Sequence, residues 1–279
     1  MSQDHRLQQQ RFELKYLIEE AVTPRIRHFL TSYLELDDYG VGRPGLSYPV
    51  HSLYLDSDDL KTHHTSVNGT KNRFKLRLRY YDDQPNTPVF CEVKARVDNC
   101  ILKRRCGVRR EAVPLLLAGH MPSPERLLSR EPRHLAAIQR FNFLLCQLDA
   151  RPKAHNCYLR EAWVSSEDNS IRVTFDRNIR FEPCFEDRAV VSLARPVQLF
   201  SPLVVLELKF PARFPNWLRD MVCHFNLMQC SSAKYSTGVE LLGEDRFRGN
   251  GHFHNRVELR PPEAAWEAEA QSESVVVEG

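Results

Sequence analysis

The chain has 279 residues, 42% of them hydrophobic and 27% charged, with a formal net charge of +3. That length can bury a substantial core, and so small a net charge speaks against bulk binding to nucleic acid. No apolar run approaches the roughly 18 residues of a membrane helix, and the polar start MSQDHRLQQQ lacks the apolar stretch of a signal peptide. Both point to a cytoplasmic protein without a membrane span. Eight cysteines are scattered without CxxC pairs, which reads as reduced, mostly buried thiols.

Residues 1–10 read as a flexible N-terminus. The first strand is Arg11–Ile18, RFELKYLI, with Arg11, Glu13 and Lys15 opposed by Phe12, Leu14 and Tyr16. Thr23 followed by Pro24 predicts a helix start, continuing to about residue 36 with Ile26, Phe29, Leu30 and Leu34 on one stripe. Residues 37–49 hold several glycines and prolines and read as a loop. A strand at 50–55 (VHSLYL) leads into a short polar turn and helix at 58–65, then a turn at Asn68-Gly69. Asp56, Asp58 and Asp59 read as turn caps, because no EF-hand spacing follows.

The next strand, 74–81 (FKLRLRYY), sets Lys75, Arg77 and Arg79 against Leu76, Leu78 and Tyr80. Like charges on alternate residues stand about 7 Å apart and repel, so they call for an anionic partner or strong solvation. Val89–Val97 repeats the pattern with Glu92, Lys94 and Arg96 opposed by Cys91, Val93 and Ala95. A tight turn at 98–99 then joins a partner strand at 101–110 carrying Lys103 and Arg105. Residues 111–148 are helical in character, strongest at 134–148, where Leu135, Ile138, Phe141, Leu145 and Leu148 share a face. Strands resume at 155–165 with Arg160, at 171–181 with Arg172 and Asp176 after a turn at 167–170, and at 203–210 with Glu207 and Lys209. Pro215 opens a helix to about 227 with Trp217, Met221 and Phe225 as core anchors, and 231–238 carries Lys234 and Tyr235. Residues 246–279 turn polar and then acidic and read as a disordered tail.

About eight strands thus carry one apolar and one charged face. Such strands could form a flat sheet with a solvated charged side or, in an α+β fold, a closed eight-stranded antiparallel barrel, a tunnel with a charged interior wrapped by helices on its apolar outside. Closure removes exposed edges and leaves room for a ligand, and the barrel is the expectation. No GxxxxGK[ST] occurs, so any phosphate must be held by side chains rather than by a glycine-rich loop. His63-His64 and His252-x-His254 lack further ligands at fixed spacing and read as surface histidines.

The ordered set RFELKY, KLRLRYY, FCEVKAR, ILKRR, YLREAW, IRVTFD, VVLELKF and SAKYSTG, running from Arg11 to Leu242, resembles the VTC domain of polyphosphate polymerases. That family lies within the triphosphate tunnel metalloenzyme (CYTH-like) superfamily. The resemblance implies one tunnel domain over 11–245 that takes ATP and a polyphosphate or triphosphate chain, with Mn²⁺ or Mg²⁺. It implies that Arg77, Arg79, Lys94 and Lys103 act on the transferred phosphoryl group. Lys15, Arg160, Arg172, Lys209 and Lys234 then hold phosphates, and Glu207, with Glu13, holds the metal. The opening departs from the ExExK of many tunnel enzymes, because Arg11 stands in place of the first glutamate. That favours phosphoryl transfer from ATP to a growing chain over triphosphate or nucleoside triphosphate hydrolysis. A non-catalytic sensor of polyphosphate or inositol polyphosphates is the alternative of another class.

Overall fold

The computed structural model describes residues 11–97, 100–166, 170–211 and 213–248. The expected flexible N-terminus, the turn at 98–99, residues 167–169 of the later turn and the tail from 249 onward lie outside the described residues. The strands are β1 (Arg11–Ile18), β2 (Glu35–Leu36), β3 (Tyr48–Asp56), β4 (Arg73–Tyr80), β5 (Val89–Val97), β6 (Cys100–Val108), β7 (Arg151–Val164), β8 (Arg172–Pro183), β9 (Val197–Leu199) and β10 (Val204–Pro211). The helices are α1 (Thr23–Leu30), α2 (Lys61–Val67), α3 (Val113–Leu117), α4 (Pro132–Leu148), α5 (Asn216–His224) and α6 (Lys234–Leu242).

Alternating apolar and charged residues make each long strand two-faced, and pairing antiparallel neighbours puts all the charged faces on one side. The strand order is β1–β10–β8–β7–β3–β4–β5–β6, with β2 added on β7 and β9 on β8. The sheet curls into an open half-barrel and does not close, contrary to the barrel expected from sequence. Its edge strands β1 and β6 are not paired with each other. Side chains span the opening instead, with Lys94 Nζ of β5 3.0 Å from Glu13 Oε2 of β1. A backbone ladder there would draw the edges to about 4.8 Å and press the basic rows of β4–β6 against Lys15 and Lys209. An ammonium–carboxylate pair needs the wider gap.

The apolar backs of the strands pack outward in separate groups. Leu53, Leu76, Leu78 and Val93 meet Ile138, Phe141 and Leu145 of α4. Leu206, Leu208 and Phe175 meet Ile26 and Leu30 of α1 and Leu218 and Met221 of α5. On this side Glu161 of β7 is fully buried and bound to Arg27 of α1 at 2.7 and 2.9 Å, which ties helix to sheet. The helix predicted over 23–36 ends at Leu30. Glu35 and Leu36 instead pair with Val164 and Trp163, and the Asp37 amide donates to Ala162 O at 2.9 Å. The edge of β7 captures that segment, because its amides find extended partners there. Leu34 still reaches the core. Thr23 is the first residue of α1 and does not cap it; Val22 holds that position.

The third group holds α6 in place. Tyr235 and Val239 pack on Tyr54, Tyr158 and Phe181, and Phe247, just past the expected domain boundary, is buried 5.9 Å from the ring of Phe181. Gly238 lets α6 approach that closely, for a Cβ there would stand 2.4 Å from two Phe181 ring atoms. Asp56 at the end of β3 accepts from the amides of Thr62 and His63 at 2.9 and 3.1 Å and from the Tyr235 hydroxyl at 2.9 Å. It caps α2, as its sequence position suggested, and also anchors α6. Replacing Gly238 by alanine overpacks this contact and should destabilise the protein by about 1–3 kcal/mol, read as a lower urea midpoint with an unchanged slope. A Gly238→Ala chain as stable as the parent would show that α6 is not held this way.

Candidate functional site

The concave face of the sheet, closed on one side by the segment 229–235, encloses a cavity of about 640 Å³. Ten basic side chains line it against two carboxylates, Glu13 and Glu207. Register explains the arrangement. Lys75 of β4 faces Lys94 of β5, which faces Lys103 of β6, so three lysines stand in one cross-strand row. The neighbouring row reads Arg77, Glu92, Arg105. Like charges directly opposite destabilise a sheet, and alternating ones stabilise it. The second row is self-sufficient and the first is not.

Glu92 is 1% exposed and gathers Arg77 at 2.7 Å, Lys103 at 3.0 Å, Arg105 at 3.5 Å and Arg79 at 4.0 Å. Burial alone would raise its pKa, but Arg79, Arg77, Lys103 and Arg105 hold it well below the usual range. Across the cavity, Asp176 of β8 takes Arg160 through two bonds of 2.7 and 2.8 Å and Lys234 of α6 at 2.8 Å. Burial is again outweighed there, by Arg160 and Lys234, and Asp176 is held at about 2. Between these clusters, the Lys15 ammonium bridges Glu13 at 3.2 Å and Glu207 at 3.3 Å. Lys209 lies 2.7 Å from Glu207. Burial and Glu207 push Glu13 up, but Lys94, Lys209 and Lys15 prevail and hold it at about 2.

Two deep cations are less well matched. Arg79 is 7% exposed, donates to the Tyr158 hydroxyl at 3.2 Å, and keeps its Nε buried without a hydrogen-bond partner among the described residues. Among the described residues Lys75 has only the Ser236 hydroxyl, at 3.2 Å, and the Tyr235 ring, at 5.8 Å. Burial, with Lys15, Lys94 and Arg73 nearby, pulls its pKa down to about 7. A fold that leaves an arginine and a lysine under-matched inside a basic cavity is prepared for an anion. The side chains are held on regular strands, and a register shift in β7 between Cys157 and Leu159 re-aims the backbone beside Tyr158.

Most of the residues singled out from sequence therefore meet in one place. Lys15, Arg77, Arg79, Lys94, Arg160, Lys209, Lys234, Glu13 and Glu207 all line the cavity. Two do not. Lys103 is turned to Glu92 from outside the lining, and Arg172 sits beside Asp37 at 2.6 Å and the Tyr48 hydroxyl at 3.1 Å. Cross-strand order decides both positions, since Lys103 is on an edge strand and Arg172 begins β8. Lys75, Tyr54 and Tyr158 line the cavity but were not selected. Lys75 was legible in the same alternation as Arg77 and Arg79, whereas the tyrosines lie on strands whose apolar pattern hides them. Within single strands Lys15 pairs with Glu13 and Lys209 with Glu207, whereas Lys94 reaches Glu13 on another strand rather than Glu92, and Asp176 takes Arg160 rather than Arg172. His63, read as a surface histidine, is 2% exposed.

Glu13 and Glu207 share one bridging ammonium, so one small cation could reach both. Two carboxylates open to a cavity suit a hard divalent cation that fills its other positions with water and phosphate oxygens. Among the described residues no helix is long and apolar enough to cross a membrane.

Comparison with known proteins gives the same grouping. A family model described as the VTC domain matches residues 10–243. Vacuolar transporter chaperone complex subunit 4 of Trypanosoma cruzi is 24% identical over 230 residues, which cover 71% of this chain and 28% of that subunit. The chain thus spans little more than a quarter of that relative's length. A solved structure from Bacillus halodurans, provisionally assigned as an adenylate cyclase, aligns with a TM-score of 0.46 and 12% identity over 81% of this chain and 95% of that one. The family match runs through every strand that lines the basic cavity, and the chain belongs to the VTC domain family.

Proposed function

We propose that the cavity holds a linear chain of phosphates and that the protein extends it, transferring the γ-phosphoryl group of ATP to the chain's terminal phosphate. The observation that carries this reading is the lining: ten cations, and two carboxylates both engaged by lysines. Phosphoryl transfer needs charge neutralisation and in-line placement more than covalent help from the protein. The acceptor, a terminal phosphate oxygen, is already ionised near neutral pH, so no base is required. Hydrolysis would need an activated water, and Arg11 stands where many tunnel enzymes carry a further glutamate.

In this reading Arg79, Arg77 and Lys94 contact the equatorial oxygens of the transferred group, and Lys75 adds the charge that its row lacks. Arg160 and Lys234, fixed by Asp176, hold flanking phosphates, with Lys15 and Lys209 nearby. The acceptor oxygen forms the new O–P bond as the bond from γ-phosphorus to the β,γ-bridging oxygen breaks, and ADP carries away that electron pair. Glu207 and Glu13 would hold Mn²⁺ or Mg²⁺, which when bound offsets charge on the phosphates. Lys103 acts through Glu92, by keeping that carboxylate from drawing Arg79 aside. Membership of the VTC domain family supports the assignment, as does the absence of a glycine-rich phosphate loop from the sequence.

Incubated with ATP and Mn²⁺, with and without a pyrophosphate primer, the protein should make long chains resolved on a gel. Arg79→Ala should lower that rate by about 10²–10³-fold, the usual cost of one transition-state donor, while leaving the fold intact, because Glu92 keeps three other cations. Release of free phosphate without polymer would replace this reading with hydrolysis. Tight tripolyphosphate binding without any turnover, surviving Glu207→Ala, would replace it with a sensor.

The pKa of Lys75 gives a second test. With its pKa at about 7, Lys75 is mostly neutral at pH 8 in the free protein, and a bound polyanion favours its charged form. Binding of tripolyphosphate at pH 8 should therefore take up protons, up to about one per site. Affinity should weaken as pH rises above 7. Calorimetry in two buffers of different ionisation enthalpy measures the uptake. Lys75→Met should reduce it, the remainder being the share open to Lys103, which burial also lowers to about 7, and equal uptake in both proteins would show that Lys75 does not meet the anion.

A further inference from the structure

A second cluster lies where α2 meets the turn that follows α6, and the cavity does not use it. His63 and His64 are consecutive residues of α2, and Glu244 begins the turn Glu244–Arg246. His63 Nε2 lies 3.5 Å from Glu244 Oε1, and His64 Nε2 lies 3.4 Å from Oε2. One donor atom from each residue falls within 4.8 Å of the other two.

Hydrogen bonding does not account for this arrangement. His63 is 2% exposed. Its Nε2 contact exceeds the roughly 2.7–3.2 Å of an ordinary N–H···O bond. Buried polar groups are rarely left so. The spacing is instead that of neighbouring ligands on one ion, for with bonds of about 2.0–2.2 Å tetrahedral ligand atoms stand roughly 3.3–3.6 Å apart. Arg248 occupies Glu244 Oε2 at 2.8 Å, which leaves Oε1 as the oxygen facing His63.

We propose that His63, His64 and Glu244 form a site for a borderline-soft divalent cation of the zinc class, with water in the remaining position, that fastens α2 to the end of α6. Two imidazoles and one carboxylate suit zinc and do not suit magnesium, which prefers six oxygens. The site is therefore chemically distinct from the oxygen-only pair Glu13 and Glu207. Its position gives it a consequence for the cavity. The first residues of α6, Lys234 and Tyr235, line the cavity, the Tyr235 ring meets His63 edge-on at 6.3 Å, and Asp56 binds both the His63 amide and the Tyr235 hydroxyl. An ion here restrains that wall.

The test uses the untagged full chain with His252 and His254 replaced by alanine, titrated calorimetrically with Zn²⁺ in excess Mg²⁺. One Zn²⁺ should bind per chain, and Co²⁺ in its place should show the visible absorption of a tetrahedral site. Zn²⁺ should also raise the melting temperature. His64→Ala, at a partly exposed position, and Glu244→Gln should each weaken binding by more than the roughly 10–100-fold typical of losing an outer-shell partner, and should cancel the thermal shift. Glu207→Gln should change neither. Failure of the parent to bind, binding that persists in His64→Ala, or binding lost in Glu207→Gln would overturn the proposal, and none of these outcomes bears on polymer synthesis.

Discussion

A concave sheet lined with guanidinium and ammonium groups folds only if their mutual repulsion is offset, and Glu92, Asp176, Glu207 and Glu13 provide that offset. Two unit charges 4 Å apart at an effective dielectric near 20 interact by about 4 kcal/mol, so several unmatched like charges in one cavity would rival a domain's whole stability. Glu92, Asp176 and Glu207 are buried and Glu13 is half-buried, each beside two or more cations, and each keeps its charge for that reason. The ion pairs are not chiefly a source of stability, because desolvation takes back much of the attraction. They hold basic side chains in fixed directions around the cavity.

The matching is incomplete in a useful way. Arg77, Arg160 and Lys234 are closely paired, whereas Arg79 and Lys75 keep capacity to spare. A fully neutralised cavity would not attract the polyanion proposed for it, and a fully unmatched one would not fold. The cross-strand rows set this balance, since the Arg77, Glu92, Arg105 row is alternating and the Lys75, Lys94, Lys103 row is not. Lys94 and Lys103 find carboxylates elsewhere, across the opening and on the neighbouring row. Lys75 finds none among the described residues, and burial, with Lys15, Lys94 and Arg73 nearby, lowers its pKa.

The opening between β1 and β6 belongs to the same logic. Ladder closure would add backbone hydrogen bonds but would crowd the basic rows, and the Lys94–Glu13 pair replaces it. The helices then serve two ends of the molecule. α1, α4 and α5 cover the apolar backs of the strands, while α6, drawn in at Gly238, brings Lys234 and Tyr235 to the cavity.

The two-residue alternation in RFELKYLI, FKLRLRYY and FCEVKARV determined by itself that basic side chains would share a face, because a pleated strand leaves no other choice. Of the cavity-lining residues, Glu13, Lys15, Arg77, Arg79 and Lys94 stand on those strands and Arg160, Glu207 and Lys209 on later ones of the same pattern, whereas Lys234 on α6 was legible only through the family resemblance. Amphipathic spacing likewise exposed α4 and α5. Only the tertiary structure decided which cation meets which carboxylate, since partners such as Lys94 and Glu13 are 81 residues apart and pair through curvature rather than order. It also decided that the sheet stays open, that Lys103 and Arg172 fall outside the cavity, and that His63 is buried. Register, curl and the approach of α6 are long-range packing outcomes, and no local pattern encodes them.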